Sequence, residues 1–394
     1  MRALTLETVR FLLSERAQRA LARLADEDLR AENTLALLTH LRREFSPDEA
    51  AALLDQARLR RRAVGKFPHA DALLYTDEAL QQASSRAVAT YRAQRFAPFA
   101  HVADLGCGIG ADTIALAEAG CRVLAVERDP VRAALAEANV AALGLAARVR
   151  VVCADWTTLP LEGVEAAFVD PARRRDGRRL FHVQALEPPL DRILALRAHV
   201  AALAVKLHPG VRDAELPPDG ALEIISEAGA CKEALLTFGA LQPTAQRLAT
   251  CLPGPHHLAA ETPAPDVPVA PPHGWLYEPD CAVIRAGAVR HLAVRLNAAL
   301  LDPTIAYLSG DEAVETPLAR RWRIVQHGAF HLKTLKKWLR ALNPGDVVVK
   351  KRGFAVDPMA FRRKLPRGAG EQTFTVFLTR CQGQPWMIVA EEAT

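Results

Sequence analysis

The sequence predicts an α/β protein: a Rossmann-like, seven-stranded, doubly wound sheet with a helical domain before it and a small α+β region after it. Three observations predict this. From about residue 70 to 245, short β-branched runs alternate with helical stretches, the pattern of a mostly parallel sheet. The stretch "VADLGCGIGADTIALA" (102–117) passes from an apolar strand through a three-glycine loop into a helix. Acids end three successive predicted strands, at Asp104, Glu127 and Asp155, where ligands of such sheets sit.

The elements follow in order. Residues 1–66 read as a helical domain, with Leu6, Val9, Leu12 and Leu13 on one face and Leu35, Leu38 and Leu41 on another. "SPDEAAALLDQARLRRR" opens on Ser46 as N-cap with Pro47 in the first helical position. It closes on Arg58, Arg60, Arg61 and Arg62, which suit a helix C-terminus and leave a nucleic-acid contact as the alternative. Residues 67–250 carry the sheet: "HVADLG", "CRVLAVE", "VRVVCAD", "AAFVD" and "VAALAVKL" are its first five strands, and "ALEIISE" and "EALLTFGAL" a pair expected to be antiparallel. Residues 251–275 are dense in proline and read as a linker or an extended covering segment, in which His256 and His257 are surface residues. Residues 276–328 form a small α+β region beginning with one helix over 282–300. Residues 329–394 hold the basic amphipathic helix "FHLKTLKKWLRAL", stopped by "NPGD", and three strands.

Half of the 394 residues are hydrophobic, enough for a sizeable core and against wholesale disorder. The net charge is only +5, but eleven Lys or Arg against two acids fall between His331 and Arg367. That surplus points to a polyanion partner, with a solvated helix face as the plainer reading. Seven scattered cysteines form no C-x-x-C pair, so the sequence predicts no metal site, no disulfide framework and a reducing compartment. The N-terminus lacks a signal-peptide core, and no apolar run approaches the ~18 residues of a membrane span. A cytoplasmic protein is expected.

The glycine loop alone, Gly106-Cys107-Gly108-Ile109-Gly110-Ala111, is ambiguous between nucleotide cofactors. Asp104, two residues ahead of it, would repel a pyrophosphate at the helix N-terminus and suits a ligand bearing a cation or an amine. S-adenosylmethionine carries both a sulfonium and an ammonium. Glu127 suits a ribose diol. Asp155 is placed for an adenine amino group, and Trp156 to cover the ring. Asp155 as a turn cap and Glu127 as a partner of Arg128 or Arg132 are the structural alternatives. The fourth strand ends in Asp170-Pro171, where an acceptor would meet the methyl group, followed by the basic loop of Arg173, Arg174, Arg175, Arg178 and Arg179. Lys206 and His208, closing the fifth strand, point at the same crevice.

"VADLGCGIGADTIALA", "AVERDP", "VVCADW" and "FVDPARRRDGRR" resemble the class I methyltransferases of bacteria that carry a C-terminal THUMP-like domain, relatives in turn of trimethylguanosine synthases. "KFPHADALLYTDEALQQASS" resembles the segment preceding the fold in both groups, and "VVVKKRGFAVDPMAFRRKL" the THUMP-like domain. The resemblance implies an RNA methyltransferase with an RNA-binding appendage. It assigns cofactor roles to Asp104, Gly106, Gly108, Glu127 and Asp155, with Cys107, Arg128 and Trp156 beside them. Thr76 falls where related enzymes cover the methionine end, and is also a natural N-cap for the helix at Asp77. One departure is the tetrad Asp170-Pro171-Ala172-Arg173, which lacks the second proline and the aromatic of enzymes that methylate exocyclic base amines. The other is that no cysteine lies near the ends of strands four and five, as pyrimidine-C5 chemistry would need.

The expected activity is in-line transfer of methyl to a base nitrogen of rRNA or tRNA, with Asp170, Pro171 and Arg173 at the reacting centre. Arg174, Arg175, Arg178, Lys333, Lys336, Lys337, Lys350, Lys351, Arg352 and Arg362 are the expected phosphate contacts. An NAD(P)-dependent oxidoreductase and a non-catalytic RNA-binding protein on the same fold are the alternatives.

Overall fold

The computed structural model describes residues 4–67, 69–172, 174–175, 178–179, 183 and 186–393 (174–175 and 178–179 as backbone). The chain divides into two units, Met1–Gly220 with Ala234–Gln242, and Ala221–Glu233 with Pro243–Thr394.

The first unit opens with α1 (Leu6–Leu12), α2 (Glu15–Ala25), α3 (Thr34–Leu41) and α4 (Pro47–Ala63). Ser46 and Glu49 cap each other's backbone N–H groups, the reciprocal box that the sequence of α4 dictates. The arginines that follow serve this framework: Arg58 donates to the Leu29 carbonyl at 3.0 Å, Arg61 to those of Ala25 and Glu27, and Arg62 pairs with Asp77 at 2.6 Å. These donors tie α4 to the end of α2 and to Asp77, a structural use of the cluster. Val9, Leu12, Leu21, Leu24, Leu53 and Leu54 form a core that continues to Leu135 and to Ile109 of the glycine loop. Each such burial contributes about 1.5–3 kcal/mol. Leu13 and Leu35, expected on buried faces, are 49% and 74% exposed, so the apolar stripes are narrower than their spacing predicts.

After α5 (Asp77–Gln82) and α6 (Arg86–Phe96) come β1 (His101–Leu105), α7 (Ala111–Glu118), β2 (Arg122–Glu127), α8 (Pro130–Ala142), β3 (Val149–Cys153) and β4 (Ala166–Val169). A two-residue hairpin of β5 (Arg174–Arg175) and β6 (Arg178–Arg179), then α9 (Leu190–Leu194), lead to β7 (Ala202–Leu207). The chain then forms β8 (Ala221–Glu227) and β9 (Ala230–Gly239). Within the first unit the strands run β9-β7-β4-β1-β2-β3, all parallel except β9 against β7. This is the expected doubly wound α/β sheet. Having stepped outward from β1 to β3, the chain returns to β4 on the other side of β1. The carboxyl ends of β1 and β4 therefore flank the topological switch point, where such sheets bind ligands.

In the second unit β8 pairs with β10 (Arg247–Leu252), and β10 with β11 (His256–Ala259). β11 lies inside the proline-rich stretch. His256–Ala259 contains no proline and faces β10 on one side only, so an edge strand fits there. There follow β12 (Trp275–Pro279), α10 (Cys281–Arg285), α11 (Val289–Arg295), β13 (Ala299–Asp302), β14 (Ile305–Gly310), β15 (Ala319–Ala329), α12 (Leu332–Leu342), β16 (Asp346–Lys351), α13 (Pro358–Arg362), β17 (Thr373–Cys381) and β18 (Gln384–Glu392). They build a sheet of order β13-β14-β12-β15-β18-β17-β16. The single helix expected over 282–300 is instead two short ones and a strand. Gly287 and Asn297 adopt left-handed backbone, at φ +79° and +48°, and each ends a helix.

Candidate active site at the strand ends

Each glycine of the loop has its own physical reason. Gly106, Gly108 and Gly110 all have positive φ, at +88°, +58° and +90°, where a side chain is strained. A Cβ on Gly106 would also stand 2.8 Å from the carbonyl oxygen of Asp170. Gly108 meets nothing within 4 Å, so its backbone faces open space from which a ligand can approach closely. Its N–H donates to Glu127 Oε2 at 2.9 Å, and that of Asp129 donates to Oε1 at 2.9 Å. Both Glu127 oxygens are thus fixed beside the loop, each with a further lone pair for a diol.

The segment before α5 is tied to the same loop. Asn139 of α8 accepts from Leu74 N–H at 2.7 Å and donates to the carbonyls of Leu74 and Ile109, both at 3.0 Å. Gln56 holds Tyr75 by both backbone groups. Thr76, next along, is half-buried and caps α5 through Ala79 N–H at 3.1 Å.

Beneath the loop is a buried charge cluster. Asp104 is fully buried; Thr113 donates to its Oδ2 at 2.5 Å, and Oδ1 has no partner among the described residues. Burial, then repulsion from Asp112, pushes the Asp104 carboxyl up to about 7. Burial would raise Asp112 as well, but Arg92, which is ion-paired with it, and then Lys206 hold it below the usual carboxylate range. The Arg92 guanidinium also lies 4.3 Å over the Phe168 ring. Ser84 joins the parts: it accepts from Arg92 at 2.9 Å and from Lys206 at 3.2 Å, and donates to Asp112 at 3.3 Å. Lys206 in turn reaches Asp170 Oδ2 at 2.6 Å.

Three carboxyl groups (Asp104, Asp112, Asp170) thus share two cations (Arg92, Lys206), so Asp104, when ionised, is the one without a counter-charge. The unpartnered Asp104 oxygen is the atom of this cluster that a cation would fit. A buried unpartnered carboxylate oxygen is costly unless something fills it. The sulfonium and ammonium of S-adenosylmethionine fit that deficit, the space at Gly108 fits its approach, and Glu127 fits its ribose. Asp155 Oδ1 is used by Thr157, capping a short turn at Trp156–Thr158; Oδ2 accepts no hydrogen bond among the described residues. The capping alternative for Asp155 is therefore realised and still leaves an acceptor for an adenine amino group. Trp156 stands beside it, half-buried.

Other expected residues are placed differently. Arg128 pairs on the surface with Glu187 at 2.7 Å rather than with Glu127. Cys107 is buried, and burial pushes its thiol well above the ordinary range, so its side chain stays a neutral thiol. Asp170 N–H donates to the Leu105 carbonyl at 3.2 Å, which sets Pro171 just past the end of β4. Arg173 lies outside the described residues. Arg174, Arg175 and Arg178 lie on the β5–β6 hairpin. Among the described residues, no group of three His, Cys, Asp or Glu side chains is arranged to hold a metal ion, and no helix is long and apolar enough to cross a membrane.

In the second unit the expected phosphate contacts divide. Lys350 pairs with Glu278 and lies 4.6 Å over the Trp322 ring; Arg352 is 3.7 Å from Glu278; Arg362 is 3.1 Å from Asp346. Lys333, Lys336, Lys337 and Lys351 have no ion-pair partner among the described residues, and all but the half-buried Lys336 are exposed. Arg363, Lys364 and Arg367, not singled out from the sequence, are exposed too.

Residues 102–170 match the family described as a methyltransferase domain, residues 319–392 a THUMP domain-like family, and residues 5–63 a domain of unknown function. An uncharacterized S-adenosylmethionine-dependent methyltransferase of Mycobacterium tuberculosis is 37% identical over 343 residues, covering 84% of this chain and 93% of its own. A 23S rRNA (uracil(1939)-C(5))-methyltransferase of Acidithiobacillus ferrooxidans is 33% identical over 124 residues, 30% of this chain and 26% of its own. The crystal structure of a candidate methyltransferase from Porphyromonas gingivalis shares the fold over 100% of both chains, with TM-score 0.80 and 21% identity.

Proposed function

The chain belongs to the S-adenosylmethionine-dependent methyltransferases, and from that premise we propose that it methylates a base nitrogen of RNA. When bound, S-adenosylmethionine supplies an electrophilic methyl group on a sulfonium. Asp104 meets the cofactor's positive charge, Glu127 its ribose hydroxyls, and Asp155 its adenine. Asp170, at the mouth of the crevice, accepts from the acceptor N–H and turns the nitrogen lone pair toward the methyl carbon.

The observation that carries the RNA reading is the unpaired basic face of α12. Lys333, Lys336, Lys337 and Arg340 have no carboxylate partner among the described residues, whereas Leu335 and Leu339 of the same helix are buried. Paired cations such as Lys350 contribute less to phosphate binding. Affinity for RNA should therefore fall steeply with salt, and replacing Lys333, Lys336 and Lys337 by Ala should flatten the log–log slope by about two. An unchanged slope in the triple variant returns the run to a solvated helix face.

The acceptor atom follows from what the site contains. Methylation at pyrimidine C5 requires a cysteine nucleophile, and the relative named for that chemistry matches under a third of this chain. Cys107 is buried with its thiol pushed up, and no other cysteine follows closely on β4 or β7. Nitrogen is the better fit to a carboxylate acceptor. The likeness to trimethylguanosine synthases is weakened by the missing second proline and aromatic after Asp170. The direct test is mass spectrometry of modified nucleosides in total RNA from cells lacking the protein. One methylated nucleoside should disappear relative to the parent and return on complementation. An identical nucleoside profile would refute an RNA substrate.

A further inference from the structure

We propose that Lys206 is the positioning residue of the transfer step, holding Asp170 in the one orientation that presents its second oxygen to the acceptor. This rests on the reading of Asp170 as the acceptor-orienting carboxylate. Lys206 is the penultimate residue of β7, a strand buried along its length, and its side chain is only 5% exposed. Its ammonium is located from two directions, by Asp170 Oδ2 at 2.6 Å and by Ser84 Oγ at 3.2 Å. Ser84 cannot drift, because it also accepts from Arg92 and donates to Asp112. The Asp170 carboxylate is therefore clamped through Oδ2 to a network anchored in α6 and α7.

Stability is a poor explanation for such a lysine. Desolvating an ammonium costs several kcal/mol, and a buried ion pair seldom does better than a well-packed apolar residue of similar volume. What the pair does provide is direction. With Oδ2 engaged by Lys206, Oδ1 is the oxygen without a hydrogen bond among the described residues, on a side chain that is 26% exposed. During transfer the acceptor nitrogen's lone pair forms the N–C bond while the methyl–sulfur bond breaks and its electron pair stays on sulfur. The N–H proton leaves by way of Oδ1 to water. A free carboxylate would sample rotamers in which that hydrogen bond, and the lone-pair alignment it enforces, are lost.

The test uses the full-length protein, with Lys206→Met and Lys206→Arg. RNA, protein and small-molecule fractions from cells lacking the protein are incubated separately with tritiated S-adenosylmethionine under single-turnover conditions. S-adenosylhomocysteine affinity is measured by calorimetry on each variant. K206M is expected to bind S-adenosylhomocysteine within about threefold of wild type and to transfer methyl about 100-fold more slowly, a loss of alignment. K206R, which keeps the charge and the donor, is expected to recover at least about tenfold. An unchanged rate in K206M, a loss of rate matched by an equal loss of cofactor affinity, or no recovery in K206R would each overturn the proposal. Label entering protein or small molecules instead of RNA would sink the RNA reading alone, because the comparison of variants stands on whichever fraction is labelled. No label in any fraction with the wild-type protein would sink both.

Discussion

Asp170→Asn is expected to lower methyl transfer by roughly 10²–10⁴-fold, the range that a positioned proton-handling side chain supplies, while S-adenosylhomocysteine affinity stays within a few-fold. The substitution preserves shape and inverts one function. The amide oxygen can still accept from Lys206, but the amide NH₂ then occupies the Oδ1 position and presents a donor to an acceptor group that is itself a donor. Asp170→Ala is a less clean probe. It leaves the Lys206 ammonium buried with only Ser84 to satisfy it, and removing one partner of a buried pair is strongly destabilising. The penalty is of order 3 kcal/mol or less here, because Asp170 is partly exposed. Thermal melting separates the two: D170N should melt near wild type and D170A below it. Turnover by D170N close to wild type would remove Asp170 from the reacting centre.

Much of this site was legible because it is local. Gly106, Gly108 and Gly110 announce a turn that only glycine tolerates, and Asp104, Glu127 and Asp155 each close a strand recognisable from its own residues. The parallel sheet then brings those ends together with no further information. What escaped the sequence is what depends on contact across the fold. Ser84, Arg92 and Asp112 carry no motif: Arg92 reads as one more charge on a helix, and its burial against Phe168 becomes visible only once α6 is packed on the sheet. The same blindness works in the other direction at Lys350 and Arg352, which a count of charges places on an RNA surface. Both share Glu278, which lies 72 residues before Lys350 and offsets one of their two charges. The helix expected over 282–300 failed for a different reason: its apolar spacing persists across Gly287, whereas the backbone does not.

Asp104→Asn is expected to make the cofactor-free protein more stable and to weaken cofactor binding, a pairing that a purely structural residue would not show. The Asp104 carboxyl is raised from its ordinary 3.8 to about 7. The folded state therefore holds a proton that the unfolded chain has already released between roughly pH 4 and 7. Relative to an unperturbed carboxyl, the folded protein loses stability as pH climbs through that window, and above pH 7 the full cost applies. Three pH units correspond to about 4 kcal/mol as an upper figure, and relaxation of the cluster should leave about 2. D104N escapes this cost, so its advantage in melting temperature should be largest at pH 8 and vanish by pH 4. Binding runs the opposite way. A cationic ligand requires the ionised carboxylate, so wild-type affinity for S-adenosylhomocysteine, which keeps the ammonium, should weaken by up to about tenfold per pH unit below pH 7. In D104N that affinity should be poor and nearly independent of pH. A variant that melts lower than wild type at pH 8, or a wild-type affinity that is flat from pH 5 to 8, would show that the orphaned oxygen of Asp104 does not await a cation. If both expected trends are observed, the destabilisation is the physical cost of specificity: the fold keeps a buried carboxyl without a partner so that a positively charged ligand, and not a pyrophosphate, completes it.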